Sequence, residues 1–396
     1  MNTQLFRDLI ATLRSLGLEP LRLLFPLCAL HAAIWPVLWV IVRQYTLPFN
    51  GQVPAGLWHG TEMLFGSFGA ALAGFLLTAI PEWTRTKPCS ARLSYGVAVL
   101  WALARLASLI GLSLSDQIAL VADGAWMGLV LLFCLRAAVS ARTPDLNGFL
   151  LWLCTYIGVY LRLRFAALDD DYSLCAQMLI AGLLVYCGFL GLALARIVPP
   201  ITNRVVDPSR RSTPYLPHPG RRHTSVILSA LCLLTLMMPV SQDVQAYLLI
   251  GTGAAFLDRT ADGFIGIKAF RAELLALNGA AALTGSGLIM LGLSSLSETV
   301  PRLAGLHLLS IGGLGLGIMA VFAIAGRLHT HQELPLSPRA QLALGLLVLS
   351  MPARLAPEFI ADLPAALLHG LASLLWAAAF LIWLLDYFPA FRSARA

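Results

Sequence analysis

The chain has 396 residues, of which 58% are hydrophobic and only 12% charged, with a formal net charge of +7 and a mean hydropathy of +0.79. A soluble domain carries roughly 25% charged residues, so this chain is too poor in charge to cover a surface in water. It contains no P-loop and no soluble nucleotide-binding unit, and its basic residues leave no nucleic-acid footprint.

The apolar residues fall in long continuous runs without strand-like alternation. In lipid the backbone must satisfy its own hydrogen bonds, and about 20 residues of helix cross the hydrocarbon. Twelve such runs are legible, at about 21–42, 57–80, 92–112, 116–139, 147–165, 173–198, 223–239, 243–258, 273–294, 302–327, 339–355 and 363–388. The eighth is short, and the eleventh ends in Met351-Pro-Ala-Arg354. The first twenty residues are polar and amphipathic, with no cleavable signal pattern. The expected fold is therefore all-α: a polytopic membrane protein with about twelve transmembrane helices in one bundle. Residues 1–396 are read as a single transmembrane domain. Its first six helices occupy 1–198, a cytoplasmic loop 199–222, and its second six helices 223–396.

With the N-terminus inside, the inside segments collect most of the 27 lysines and arginines, including the six arginines from Arg196 to Arg222. Outside loops hold only Arg43, Arg162, Arg164, Arg302 and Arg354, and Arg105 lies within the third helix. This positive-inside bias predicts two cytoplasmic termini, and the basic residues lie beside anionic headgroups. Among the seven cysteines six lie in apolar runs and none forms a Cys-x-x-Cys pair, so no disulfide framework is expected. Gly66, Ala70 and Gly74 in the second run, and Gly313 and Gly317 in the tenth, have the four-residue spacing of closely packed helices.

Ionisable groups inside lipid are costly and become functional candidates. They are His31, His59, Glu62, Arg105, Asp123, His307 and His369. Arg105 and Asp123 are possible partners of each other. His59, His307 and His369 should lie toward the outer surface and His31 near mid-membrane. Imidazole suits haem iron and copper. His59 and Glu62 are three apart on one helix face, which Gly66, Ala70 and Ala73 continue. Glu62 is placed to orient an imidazole or relay protons. His329 and His331, at the inner end of the tenth run, read as solvated loop histidines. No Cys-x-x-Cys-His motif attaches a haem covalently, and no helix carries the two histidines that stacked b haems need.

The segment Trp58-His59-Gly-Thr-Glu62-Met63-Leu-Phe65-Gly66, continuing to Gly74-Phe-Leu-Leu-Thr-Ala79-Ile-Pro81-Glu-Trp83-Thr84, resembles the NnrS family of bacterial membrane proteins. So do the stretches around Trp101–Arg105, Ala195–Pro199, Leu306–His307 with Gly312–Gly313, and Leu375–Phe380. The chain departs from the family pattern at Thr61, where a second histidine is usual, and at Glu82, where asparagine is usual. Near the inner end of the tenth run it reads Gly326-Arg327-Leu-His329-Thr-His331, where the family has a Leu-Gly-His-Thr-Gly-Arg stretch.

The resemblance implies a bacterial inner-membrane protein with twelve helices, a haem, expected as b-type, and copper as a second candidate. The expected role is in nitric oxide metabolism or protection from nitrosative stress, with a nitric oxide reductase-type oxidoreductase as the candidate enzyme. Glu62 and Arg105 are the candidate catalytic residues. His59, His307, His369 and His31 are candidate cofactor-binding residues, the first three also candidate metal ligands. His59 and His307 are expected to ligate or border one centre. The expected partners are the bilayer and nitric oxide, with no electron-donor site legible. The alternatives are a secondary transporter, suggested by two six-helix sets around a basic loop, and a metal-delivery protein.

Overall fold

The computed structural model describes residues 3–44, 53–110, 113–209, 211 and 214–393. Arg210, Arg395 and Ala396 lie outside the described residues, as does the side chain of Arg43. Among the described residues there are helices and no strands.

Among the described residues thirteen helices of more than a single 3-10 turn follow one another. They are α1 (Thr3–Leu16), α2 (Pro20–Gln44), α3 (Ala55–Thr84), α4 (Ala91–Ile110), α5 (Ser113–Ala141), α6 (Asn147–Leu168) and α7 (Tyr172–Val206). Then come α8 (Thr224–Thr235), α9 (Gln242–Arg259), α10 (Ala272–Leu296), α11 (Arg302–Leu328), α12 (Pro338–Phe359) and α13 (Ala365–Ser393). Ten of them are long and apolar enough to cross a membrane. The protein is a multi-pass membrane protein.

Each predicted run forms a helix, with two differences. The seventh run, expected over 223–239, yields only the twelve residues of α8. At 1.5 Å per residue that is about 18 Å, short of a hydrocarbon core about 30 Å thick. The run is cut at Thr235, before Met237-Met238-Pro239. The eleventh run is longer than expected and continues through Pro352 and Pro357 to Phe359. Arg354 is therefore a buried residue of α12, not a loop residue.

The amphipathic N-terminal stretch becomes α1. It is tied down by a hydrogen bond from Ser15 Oγ to the carbonyl of Phe391 (2.6 Å). All seven cysteines are free thiols.

The chain resolves into two compact units. Unit 1 is Met1–Gly182, Gly326–Gln332 and Phe380–Ala396, and unit 2 is Leu183–Ala325 and Glu333–Ala379. In unit 1, α3 packs on α2 where small residues allow it: a Cβ at Gly74 would stand 3.0 Å from the Phe25 ring. In unit 2, α9 and α10 meet backbone to backbone, with a Cβ at Gly285 reaching 2.6 Å from the Gly253 carbonyl oxygen. Small residues at such crossings replace the hydrophobic drive that lipid does not supply.

Two helices contain a wide π-helical turn. In α3 it covers Glu62–Ser67, and in α11 it covers Leu308–Gly315. Each begins within three residues of a candidate histidine, His59 or His307. Such turns are rare and gather at functional sites.

Candidate functional site

The buried charges of unit 1 meet in one network. Arg105 on α4 donates through one terminal nitrogen to Glu62 Oε2 on α3 (2.7 Å). Its other terminal nitrogen donates to Asp123 Oδ2 on α5. Asp123 also accepts from Trp126 Nε1 (2.7 Å) and from the hydroxyl of Tyr160 on α6. Glu62 and Asp123 are almost wholly shielded from solvent, at 1% and 0% exposure, and Arg105 is 4% exposed. One guanidinium thus bridges two carboxylates, which a buried ion pair requires if it is to repay its desolvation.

His31 on α2 completes the cluster. Its Nδ1 is 2.7 Å from Ser67 Oγ, and its Nε2 is 3.4 Å from Glu62 Oε2. The ring stacks on Trp35, with centroids 4.4 Å apart, and meets Trp101 edge-on at 5.4 Å. Gly66 makes the junction possible. A Cβ there would stand 2.9 Å from His31 Cε1, 3.0 Å from Glu62 Oε2 and 3.1 Å from Arg105. The glycine is a matter of space, because three charged or aromatic groups converge on its surface.

The π turn of α3 also shapes the site. Trp101 Nε1 donates to the Gly66 carbonyl (2.9 Å), and the Tyr156 hydroxyl lies 3.5 Å from the Phe65 carbonyl. Two backbone oxygens within the turn therefore accept side-chain donors.

The other candidates lie elsewhere. His59, one turn before Glu62, packs its ring against Trp39, with centroids 5.0 Å apart. Close by, the Trp35 and Trp58 rings are 4.9 Å apart. Their indole nitrogens are buried with no hydrogen-bond acceptor among the described residues. His307 belongs to unit 2. Its Nδ1 is 2.8 Å from the Leu303 carbonyl, so Nδ1 donates there. His369, also in unit 2, accepts from Arg354 at Nε2 (2.8 Å), and Arg354 in turn holds Glu358 (2.8 Å). The structure thus joins His31, Glu62 and Arg105 with Asp123 and places His369 in a separate polar pair.

A second cluster in unit 1 was not legible as such. His329, read from sequence as a solvated loop residue, is half-buried. Its Nδ1 lies 3.1 Å from Glu19 Oε1 and 3.6 Å from Glu82 Oε1. Arg22 braces it, donating through Nε to Glu19 Oε2 (2.8 Å) and through a terminal nitrogen to the His329 carbonyl (2.7 Å). Burial alone would lower the His329 pKa, but the carboxylates of Glu19 and Glu82 outweigh it and hold it above its ordinary value. Burial would likewise raise the Glu19 pKa, and His329 and Arg22 hold it below. His331 is exposed, with a left-handed φ of 58°.

Tyr160, Trp126, Ser67 and Trp101 were missed by sequence reasoning. Trp126 carried one usable signal, since it stands three residues after Asp123 on a single helix face. The hydroxyl groups carried none, because which faces of α5 and α6 oppose each other is a tertiary fact.

A multi-pass helical bundle whose second long helix offers a buried carboxylate to an arginine, beside a stacked histidine, defines a class: an intramembrane polar-site protein. The sequence matches the family described as NnrS protein over residues 16–395. The chain belongs to the NnrS family. No curated protein matches it.

Proposed function

We propose that this protein is a haem protein acting in nitric oxide metabolism or nitrosative-stress protection, reducing or sequestering the gas at an intramembrane site, with copper as a possible second metal. Family membership fits a nitric-oxide-related membrane protein. The observation that carries the reading is the α3 segment itself, in which His59 and Glu62 flank the start of a π turn and Glu62 enters a fully buried charge network. Nitric oxide is small and apolar and partitions into lipid, so a site inside the bundle has direct access to it.

The donors fit such a group unevenly. His307 has Nδ1–H on a backbone carbonyl, as ligating histidines commonly do. His59 stands beside two buried indole N–H groups that a bound polar group would satisfy. Nε2 of His31 faces Glu62, and that of His369 faces Arg354. The proposal keeps His59 and His307 as candidate ligands, with His369 as a third and His31 as a further cofactor-binding residue. A bound haem would supply an iron able to ligate nitric oxide.

The chain's own residues do the rest. Trp39 fixes the plane of the His59 ring. Arg105 holds Glu62 in place, and Glu62 presents its carboxyl group to His31 Nε2, within reach for proton transfer. Ser67 fixes the His31 ring through Nδ1.

A visible spectrum and metal analysis of the purified protein test the reading. A Soret band is expected, and His59→Ala and His307→Ala should each diminish haem or copper content. Glu62→Gln should keep the metal and lower any turnover. A protein without Soret absorption or copper, purified from haem-replete cells, would overturn the proposal and favour transport or metal delivery. The proposed setting is the bacterial inner membrane with both termini cytoplasmic. If α8 and α9 cross as a pair or not at all, the number of crossings is even, so a reporter fused at Ala396 should fold in the cytoplasm. A periplasm-active fusion would reverse that topology.

A further inference from the structure

In the longest interhelical connection, 207–223, the described stretch from 214 to 223 folds back on unit 2. Asn203, near the end of α7, holds it: its amide donates to the Tyr215 carbonyl (3.0 Å) and its Oδ1 accepts from the Tyr215 amide (2.6 Å). Between this returning loop and α7, α9 and α10 lies a small pocket that is open to solvent. One wall is apolar, formed by Leu194 and Val198 of α7 and Leu277 of α10. The opposite rim is basic, formed by Arg221, Arg222 and Arg259.

The three arginines are not equivalent. Arg221 is neutralised, with Nε 2.9 Å from Asp258 and a terminal nitrogen 3.2 Å from Asp262. Arg259 is 8% exposed and makes no ion pair with any described residue. Its one hydrogen bond among them runs to the Arg221 carbonyl (2.9 Å). Arg222 is exposed at the rim. A guanidinium cannot shed its charge. Asp262 attracts Arg259 but is ion-paired to Arg221, so the three arginines and the two aspartates leave one positive charge in surplus at the pocket.

We propose that this pocket binds a phosphate-bearing anion, with Arg259 and Arg222 as the charged partners. Arginine's planar fork suits phosphate oxygens. A basic pocket between helices at a membrane face has the chemistry that recognises an anionic lipid headgroup. Asp262, which also lines the pocket, is shared between Arg221 and Arg259, so Arg222 supplies the surplus charge.

The test uses the full-length protein in nanodiscs of phosphatidylcholine alone, or with phosphatidylglycerol or cardiolipin, and reads thermal stability and co-purified phospholipid by native mass spectrometry. A second arm adds inorganic phosphate to the phosphatidylcholine discs. Anionic lipid should raise the melting temperature and remain bound through purification. Arg259→Gln should abolish both effects, and Arg222→Gln should weaken lipid retention by about fivefold. Because Arg222 is exposed, that variant folds and keeps the test valid if Arg259→Gln does not. Arg14→Gln, at an exposed basic position in α1, should change neither reading. Stabilisation by inorganic phosphate that Arg259→Gln removes would support the site with a soluble phosphate as its source. Equal response of wild type and both pocket variants to every condition would overturn the proposal.

Discussion

Arg105 in unit 1 and Arg259 in unit 2 are both buried, and they solve the same electrostatic problem in different ways. Arg105 is answered from within, by Glu62 on one side and Asp123 on the other. Arg259 donates to one backbone carbonyl, shares the field of Asp262 with Arg221 and lines an open pocket. A closed network fixes geometry, and its worth lies in specifying how α3, α4, α5 and α6 come together. An open one keeps a charge in reserve for a ligand. The same residue type at the same depth of burial therefore carries a structural signal in one place and a binding signal in the other, and only the partners tell them apart.

The largest expected effect comes from breaking the closed network. Asp123→Ala removes the acceptor shared by Arg105, Trp126 and Tyr160 and should cost roughly 3–5 kcal/mol, seen as loss of folded protein in detergent. Adding Arg105→Met and Glu62→Gln removes the stranded charges and should recover much of that loss. Arg259→Gln in neutral lipid should move stability by about 1 kcal/mol, since the Arg221 carbonyl is the one hydrogen-bond partner that loses its donor. If both arginine sites responded alike, the contrast would fail.

A smaller effect should follow from crowding the junction. Gly66→Leu should cost about 1–3 kcal/mol or more, because even its Cβ meets His31, Glu62 and Arg105. Leu72→Met, at a buried but apolar position of the same helix, should cost under about 1.5 kcal/mol. Comparable thermal shifts for the two would mean that the polar junction does not constrain α3.

The smallest effect is pH-dependent and belongs to the His329 cluster, which stands between the two extremes: charged, braced by Arg22, and partly open to water. The His329 pKa is raised on folding, so its contribution is fully present below about pH 6.5 and is lost as pH rises through the raised value. The Glu19 pKa is lowered, so its contribution is present above about pH 4.3 and is lost as pH falls through the lowered value. The stability difference between wild type and His329→Gln should be on the order of 0.5–1 kcal/mol between about pH 5 and 6.5. It should shrink toward pH 9. A difference that grows with pH would mean that His329 is neutral in the fold.

Hydrophobic run length made the helices legible, since a helix in lipid has no other way to satisfy its backbone. It did not mark α8, whose run stays apolar after the helix has ended at Thr235. The expense of charge in lipid made Glu62, Arg105 and Asp123 legible. Their joint network was readable only in part, as the Arg105–Asp123 pairing, because Glu62 joins it through a turn of α3 that hydropathy does not report. His329 was misread because its partners, Glu19 and Glu82, are remote in sequence and each looks like an ordinary interface residue. Glu82 is also where the chain departs from the family's asparagine, so the departure supplies a carboxylate to that cluster.

The π turn of α3 changes how a mutation in the chain would be felt. A π turn holds one residue more than the α-helical turn it replaces, so the segments on either side run about 100° out of phase with a continuous helix. His59 and the small-residue run from Gly66 to Gly74 consequently do not continue one straight stripe. Deleting a single residue between Glu62 and Ser67 would restore α-helical phase and swing the His59 end of α3 by that angle relative to the Gly74 end. The carbonyls of Phe65 and Gly66 would return to the helix ladder, and Tyr156 and Trp101 would lose their acceptors. Length in this segment is therefore under tighter constraint than composition.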